Sequence, residues 1–119
     1  MYKVIFYNDR KGQEPVKDFL ANLIKKEKVK IFKYIYLLEE KNPSELSVDK
    51  HYKNLSHQPG LWEVRVDFGK NGYRVFYFYH VASTVVLLHA FRKKTNETPL
   101  EELDIALKNK EDWETRGKR

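Results

Sequence analysis

The spacing of apolar positions divides the chain into extended and helical segments. Residues 2–7 alternate weakly between apolar and polar side chains and are rich in aromatic and β-branched types, which predicts a short first strand. A turn-rich stretch at residues 8–12 ends it. From Pro15 the apolar side chains recur every three or four residues, the spacing of a helix with one buried face. These side chains are Val16, Phe19, Leu20, Leu23 and Ile24.

A second helix follows the first after a charged interruption. The stretch Lys25-Lys26-Glu27-Lys28 breaks the apolar pattern, and Ile31, Ile35 and Leu38 restore helical spacing. Asn42-Pro43 then ends the helix. The two segments therefore predict a helical hairpin, and residues 44–60, which carry no clear periodicity, are expected to be irregular.

The second half of the chain predicts three strands and a helix. Residues 61–68, 73–79 and 84–91 are β-rich and are separated by two short polar loops, which indicates an antiparallel meander. In the first loop, Asn71-Gly72 suits a hairpin turn because both residues tolerate a positive φ. Thr98 and Glu101 form a capping box around Pro99 at the start of a last helix. Its apolar face comprises Leu100, Leu103, Ala106 and Leu107.

These elements fit one α+β domain over residues 1–119. The order is β-α-α-β-β-β-α, and the sheet is mainly antiparallel and covered on one face by the helical hairpin. Strand side chains alternate between faces, so Trp62, Val64, Val66 and Phe68 form the core face of the first meander strand. Glu63, Arg65 and Asp67 then share the opposite face.

The register of the meander decides which polar groups meet. If Phe68 lies opposite Tyr73, then Asp67 faces Arg74. If Tyr79 lies opposite Thr84, then Arg74 faces His89. This register brings four polar side chains together near one end of three strands, with residues 91–94 beside them, whereas a shift of one residue at either hairpin would separate them. The four are Arg65, Asp67, Arg74 and His89.

Such a cluster suits the chemistry of RNA. Guanidinium groups hold phosphate, an exposed aromatic ring stacks on an unpaired base, and imidazole or amine groups transfer protons. Attack of a ribose 2′-hydroxyl on the adjacent phosphate needs a base, an acid and cationic stabilisation of the transition state, without a metal ion. The structural alternative is that Asp67 and Arg74 form an ordinary cross-strand ion pair and that His89 stabilises the edge of the core.

Composition narrows the possible classes. The chain has 119 residues, a formal net charge of +6 and no cysteine, which excludes disulfides, thiol nucleophiles and cysteine-ligated metals. The four histidines lack the spacing of common metal motifs, so neither a metal nor a cofactor is expected. No apolar run is long enough to span a membrane, and we expect a soluble cytoplasmic protein. Basic side chains concentrate in residues 61–94 and acidic ones in residues 97–115.

Three sequence motifs in combination resemble one known toxin family. They are G-L-W-E-V-R at residues 60–65, G-Y-R-V-F-Y at residues 72–77 and L-L-H-A-F-R-K-K-T at residues 87–95. They resemble the phage-derived Gp49-like, HigB-type branch of the RelE/ParE toxin superfamily. The resemblance implies a RelE-like fold and a ribosome-dependent endoribonuclease that cuts messenger RNA. It also implies a HigA-like antitoxin with a helix-turn-helix domain, and binding of the toxin–antitoxin complex to operator DNA.

The resemblance also assigns site residues. Arg74 takes the position of the family's phosphate-binding arginine, and Arg65 is a second cationic position. His89 and Lys93 lie at the end of the last strand, where members place catalytic groups. Together these four form the predicted catalytic set. The residues expected to contact RNA are Lys53, Phe91, Arg92 and Lys94.

Two other functions remain open from the sequence. One is a ParE-like inhibitor of DNA gyrase, which belongs to the same superfamily but needs no proton-transfer groups. The other is a basic module that binds nucleic acid without cleaving it. The clustering of Arg74, His89 and Lys93 favours the endoribonuclease.

Overall fold

The computed structural model describes residues 1–55, 58, 60–81, 83–94 and 99–117. In this part of the chain, four helices pack around one five-stranded sheet. The strands are β1 (Lys3–Phe6), β2 (Tyr52–Asn54), β3 (Trp62–Phe68), β4 (Asn71–His80) and β5 (Thr84–Lys93). The helices are α1 (Pro15–Ala21), α2 (Lys25–Glu40), α3 (Pro43–Leu46) and α4 (Leu100–Thr115). The mixed α+β architecture fits the predicted RelE-like fold.

The strand order across the sheet is β1-β5-β4-β3-β2. The first strand pairs with β5 in parallel, and the other pairs are antiparallel. The predicted meander therefore occupies the centre of the sheet. Segment 44–60, which was expected to be irregular, instead contains α3 and the edge strand β2. Helix α3 begins with a capping box at Asn42. This signal comes from polar side chains, so the pattern of apolar positions did not reveal it.

The helical hairpin covers one face of the sheet, as predicted. Apolar side chains of α1 and α2 pack against Val64 and Val66 of β3, with Trp62 and Phe68 at the margin of this first core. The hairpin differs from the prediction at its bend. The first helix ends at Ala21, the charged stretch begins α2 instead of interrupting it, and Ile24 is an exposed N-cap residue.

A second core on the opposite face was not predicted. There, α4 packs Ala106 and Trp113 against apolar side chains of the strands, including Phe76 and Leu88. The predicted face of α4 is partly wrong, because Leu100 is 76% exposed. Pro99 is the N-cap residue and not the first helical residue, while Thr98 of the predicted capping box lies outside the described residues.

The first hairpin of the meander is tighter than expected. Its turn is Gly69-Lys70, with Gly69 at φ +60°, and Asn71 already pairs with Phe68. A two-residue turn requires a positive φ, which glycine adopts at little cost. The predicted register of Asp67 with Arg74 is therefore wrong, since Asp67 pairs with Gly72 and Arg65 pairs with Arg74. The side chains of Asp67 and Arg74 still form the expected cross-strand ion pair, diagonally, at 3.3 Å. Since the register moves by two residues, every side chain keeps its predicted face.

The second hairpin also differs from the predicted register. Tyr79 pairs with Val85 instead of Thr84, and an irregularity between Phe76 and Tyr77 shifts the pairing further. The extra residue on β5 is Leu88, whose carbonyl accepts a hydrogen bond from the Asn109 side chain of α4 at 2.9 Å. Helix α4 thus satisfies a backbone group that the bulge leaves out of the ladder.

Candidate nucleic-acid site

Two neighbouring cavities, of about 350 and 310 Å³, lie at the open end of the meander. Arg65, Asp67 and Arg74 line both of them. Residues of the β3–β4 turn and the end of β5 complete the first cavity: Gly69, Lys70, Asn71, Gly72, Lys93 and Lys94. Residues from α2 and the start of β2 complete the second: Lys30, Lys50 and His51.

Positive charge dominates the lining of the two cavities. Among the described lining residues, seven are lysine or arginine and one, Asp67, carries a carboxylate. Low-dielectric walls on one side strengthen the field of such a cluster toward an anion. The surface is therefore suited to a ligand with more than one negative charge, as expected of a phosphate backbone.

Arg74 lies at the base of this cluster, where it donates to two acceptors and lies near a third, buried carboxylate. It is 7% exposed. Its Nη1 donates to the Tyr73 carbonyl at 2.9 Å and to Asp67 Oδ1 at 3.3 Å. Its Nε lies 3.8 Å from Oε1 of Glu63, which is itself buried. Asp67 is exposed, so an incoming phosphate can replace its carboxylate at Nη1.

The space beside Arg74 is narrow, and Gly72 leaves it open because it has no side chain. A Cβ atom at this position would lie 3.2 Å from Asp67 Oδ1 and 3.4 Å from Arg74 Nη1. The absence of a side chain therefore leaves room for the Asp67–Arg74 contact and keeps the first cavity open.

Lys93 brings an amine to the same place. It pairs with Gly72 across the β4–β5 ladder and lines the first cavity. Burial and the neighbouring guanidinium of Arg74 lower the pKa of Lys93 below its usual value, while Glu63 opposes this shift. An amine with a lowered pKa is better suited to proton transfer than an ordinary surface lysine.

His51 is an imidazole that the sequence reasoning did not select. Its Nδ1 lies 2.7 Å from Asp49 Oδ1, and its ring stacks on Tyr34 with centroids 4.1 Å apart. The Asp49 carboxylate also accepts from the His51 backbone N–H, and these hydrogen bonds lower the pKa of Asp49. The ring is thus fixed in orientation where it lines the second cavity, with Nε2 as its remaining nitrogen.

His89 does not meet Arg74, contrary to the predicted register. It pairs with Phe76, while Phe91 takes the place opposite Arg74. The Nε2 of His89 lies 2.6 Å from Glu102 Oε1 of α4, and its ring stacks on Phe91. His89 lines neither cavity, so the structure brings Arg65, Arg74 and Lys93 together but places the fourth predicted residue apart from them.

Of the four residues expected to contact RNA, two lie at the site and two lie elsewhere. Lys53 pairs with Glu63 and so shares its sheet face, and Lys94 lines the first cavity. Phe91, expected to be an exposed stacking ring, is buried in the second core. Arg92 lies on the other face, where its guanidinium is 5.5 Å from the Tyr73 ring. A strand alternates its side chains, so Arg92 and Lys93 cannot serve the same surface.

The sequence contained a signal for one of the two residues that were missed. Glu63 is two residues before Arg65 on β3, so the period of a strand places both side chains on one face. His51 precedes β2 and stacks on Tyr34 of α2, so strand alternation does not locate it. What the alternation does not reveal is that Glu63 is buried, since burial depends on how the neighbouring strands pack around it.

In the described part of the chain, no group of three or more His, Cys, Asp or Glu side chains is arranged to hold a metal ion. The described helices include none that is long and apolar enough to cross a membrane. A comparison with protein families finds that the model of the phage-derived protein Gp49-like family (DUF891) matches residues 18–111. A comparison with curated proteins finds no match.

Proposed function

The chain belongs to the phage-derived Gp49-like family, a RelE-like family associated with toxins of toxin–antitoxin systems, and we propose that it is a toxin that cuts messenger RNA on the ribosome. The observation that carries this proposal is the cluster of Arg65, Arg74 and Lys93 on one open sheet face. Two guanidinium groups and a perturbed amine around one cavity suit a phosphate that gains negative charge during a reaction.

The proposed reaction uses the RNA itself as nucleophile. The ribose 2′-oxygen attacks the adjacent phosphorus and loses its proton to a base. The bond from phosphorus to the 5′-oxygen breaks, and an acid protonates that oxygen. The products are a 2′,3′-cyclic phosphate and a 5′-hydroxyl, so no other reactant is required.

The roles follow from position. Arg65 and Arg74 bind the non-bridging oxygens, and Lys93 protonates the leaving 5′-oxygen. We assign the base to His51, because Asp49 holds Nδ1 and leaves Nε2 to accept a proton in the second cavity. His89, which was predicted to be catalytic, is assigned a structural role because Glu102 holds its ring.

The expected partners follow from the family. A toxin of this kind is neutralised by an antitoxin, and we propose a HigA-like helix-turn-helix protein whose complex with the toxin binds operator DNA. The ribosome would present single-stranded message to the basic face, and the site of action would be the cytoplasm. Charge attraction would speed both encounters more than it sets their final affinity.

Brief induction of the chain without its antitoxin tests the proposal. We expect growth arrest and new RNA 5′ ends inside translated regions within minutes, with none in a matched strain that carries His51→Gln and Lys93→Met together. If no new 5′ ends form and DNA gyrase is inhibited instead, the protein belongs to the ParE-like class. Growth arrest with neither effect would favour nucleic-acid binding without cleavage.

A further inference from the structure

A buried carboxylate lies beneath the cations of the site. Glu63 is 2% exposed, and its Oε1 has no hydrogen-bond donor within reach in the described structure. The nearest cationic atom is Nε of Arg74, 3.8 Å away, which is also without a hydrogen-bond acceptor. A buried ionised group that receives so little compensation is costly to the fold.

The charges around Glu63 indicate why a buried carboxylate is retained at this position. Arg65 pairs directly with Arg74, Lys53 pairs with Glu63 itself, and Lys93 lies beside Arg74 across the next strand pair. Like charges that face each other across a sheet repel. Asp67 also contacts Arg74, but it is exposed, so its charge is screened by solvent. Without the buried charge of Glu63, these four cations would be expected to separate or, in the case of lysine, to lose a proton.

We propose that Glu63 is a positioning residue, whose buried negative charge holds Arg74 in place and keeps Lys93 protonated before RNA binds. The assignment of Lys93 as an acid rests on the proposed function, whereas the electrostatic interaction between Glu63 and Lys93 does not. Glu63 touches no reacting atom. It acts through the groups that do.

Among the described residues, four charged groups on the other strands of the sheet act on Lys93. The cationic ones are Arg74 on β4, Arg65 on β3 and Lys53 on β2, and the acidic one is Glu63 on β3. Burial and the cations lower the pKa of Lys93, and Glu63 raises it. Lys70 and Lys94 share its cavity with Asp67. Removal of the Glu63 charge should therefore lower the pKa of Lys93 further, so that it loses its proton at a lower pH.

If Glu63 served only to stabilise the fold, Glu63→Gln would lose its function because it lost stability. The positioning role predicts that function is lost while stability is kept. Burial raises the pKa of Glu63 although four cations act to lower it, so ionisation of Glu63 costs more free energy in the folded protein than in the unfolded chain. For a carboxyl with a raised pKa, ionisation reduces stability once the pH exceeds its ordinary value. The neutral amide should thus be as stable as the wild type at pH 7, although the variant loses function.

The experiment measures Lys93 directly. Proteins labelled with ¹³C at the lysine ε-carbon would be titrated by NMR, and the rate of message cleavage on ribosomes would be followed against pH. The variants are Glu63→Gln, Glu63→Asp and the matched control Glu27→Gln. Glu27 is also a buried carboxylate, but it accepts a hydrogen bond from Tyr73 on the other face of the sheet.

In Glu63→Gln we expect the pKa of Lys93 to fall by about one pH unit. The alkaline limb of the cleavage profile should move down by the same amount, so that the rate at a pH above both pKa values should fall about tenfold. Glu63→Asp should restore part of both values, and Glu27→Gln should change neither. An unchanged Lys93 pKa in Glu63→Gln would overturn the proposal.

The two proposals fail in different ways. If the wild type cleaves no RNA but Glu63→Gln still lowers the pKa of Lys93, the electrostatic assignment stands and the proposed function fails. If cleavage occurs and is lost in Glu63→Gln only together with thermal stability, Glu63 is structural and the positioning role is wrong. Should the glutamine variant not fold, Glu63→Asp tests the same interaction through distance: its side chain is one methylene shorter, so the pKa of Lys93 should fall by a smaller amount than a full loss of the charge would give, and an unchanged pKa would overturn the proposal.

Discussion

Arg65 lies directly opposite Arg74 on the paired strands β3 and β4. Two like charges at facing positions of an antiparallel sheet lower its stability, and most sheets avoid them. Here the two arginines are retained at the open end of the sheet, with Glu63 beneath Arg74 and Asp67 beside it. The proposed function accounts for this pair, since an anion bound between the two guanidinium groups would offset their repulsion.

Arg65→Ala separates this function from folding. Removal of the less buried arginine relieves repulsion and leaves the Glu63–Arg74 contact intact, so the melting temperature should stay the same or rise slightly. Growth arrest on induction should be lost. Arg74→Ala is a poorer test, because it leaves Glu63 without its nearest cation and should cost about 3–5 kcal/mol.

Lys17→Ala is the matched control for Arg65→Ala, since it removes an exposed cation from α1 on the far face. It should retain full toxicity. If a folded Arg65→Ala protein at equal expression stopped growth as well as the wild type, the arginine pair would not be the phosphate site.

Asp67→Asn should tighten RNA binding. The Asp67 carboxylate lines both cavities and contacts Arg74, so it competes with phosphate for the same guanidinium. At moderate salt, we expect the Kd for a single-stranded RNA, measured by fluorescence anisotropy, to fall several-fold. The stability of the protein should change little, because Asp67 is 77% exposed. Weaker binding would indicate that Asp67 orients Arg74 instead of competing for it.

His89→Asn tests the reassignment of His89. The variant loses the hydrogen bond with Glu102 and the stacking on Phe91, so we expect a lower melting temperature, equivalent to about 1–3 kcal/mol. Cleavage should continue under conditions in which the protein remains folded. Loss of cleavage without loss of stability would restore His89 to the catalytic set predicted from the sequence.

In this protein the sequence predicts which face of the sheet a side chain lies on better than it predicts which residues pair across adjacent strands. Alternation along β3 correctly separates Val64 from Arg65, and the face survives because the first register differs by two residues. The partner of His89 depends instead on the bulge at Leu88, which Asn109 of a distant helix satisfies. No local pattern encodes that contact.

The second core escaped prediction for a related reason. The apolar positions of α4 are diluted by charged residues, and its largest buried side chain, Trp113, stands near the end of the helix. Such a stripe indicates a buried face but does not say which surface it covers. That α4 packs against Phe76 and Leu88, on the face that also carries the site, follows only from the three-dimensional structure.

Trp113→Ala should therefore destabilise the whole domain. The ring is 4% exposed and packs near Tyr7, whose hydroxyl donates to Asp112 of the same helix. We expect a loss of about 3–5 kcal/mol in the free energy of unfolding, measured by urea denaturation. A midpoint equal to that of the wild type would mean that α4 contributes little to the core.

The most direct test of the account is the chemistry of RNA cleavage by the purified protein. Ribosomes carrying a defined message would be incubated with it, and the downstream fragment would be tested for labelling by polynucleotide kinase without prior phosphatase treatment. We predict a 5′-hydroxyl that accepts the label, and no cut in a message whose ribose at the cleavage site lacks the 2′-hydroxyl. Cleavage of that deoxy message at the normal rate would contradict the proposed mechanism.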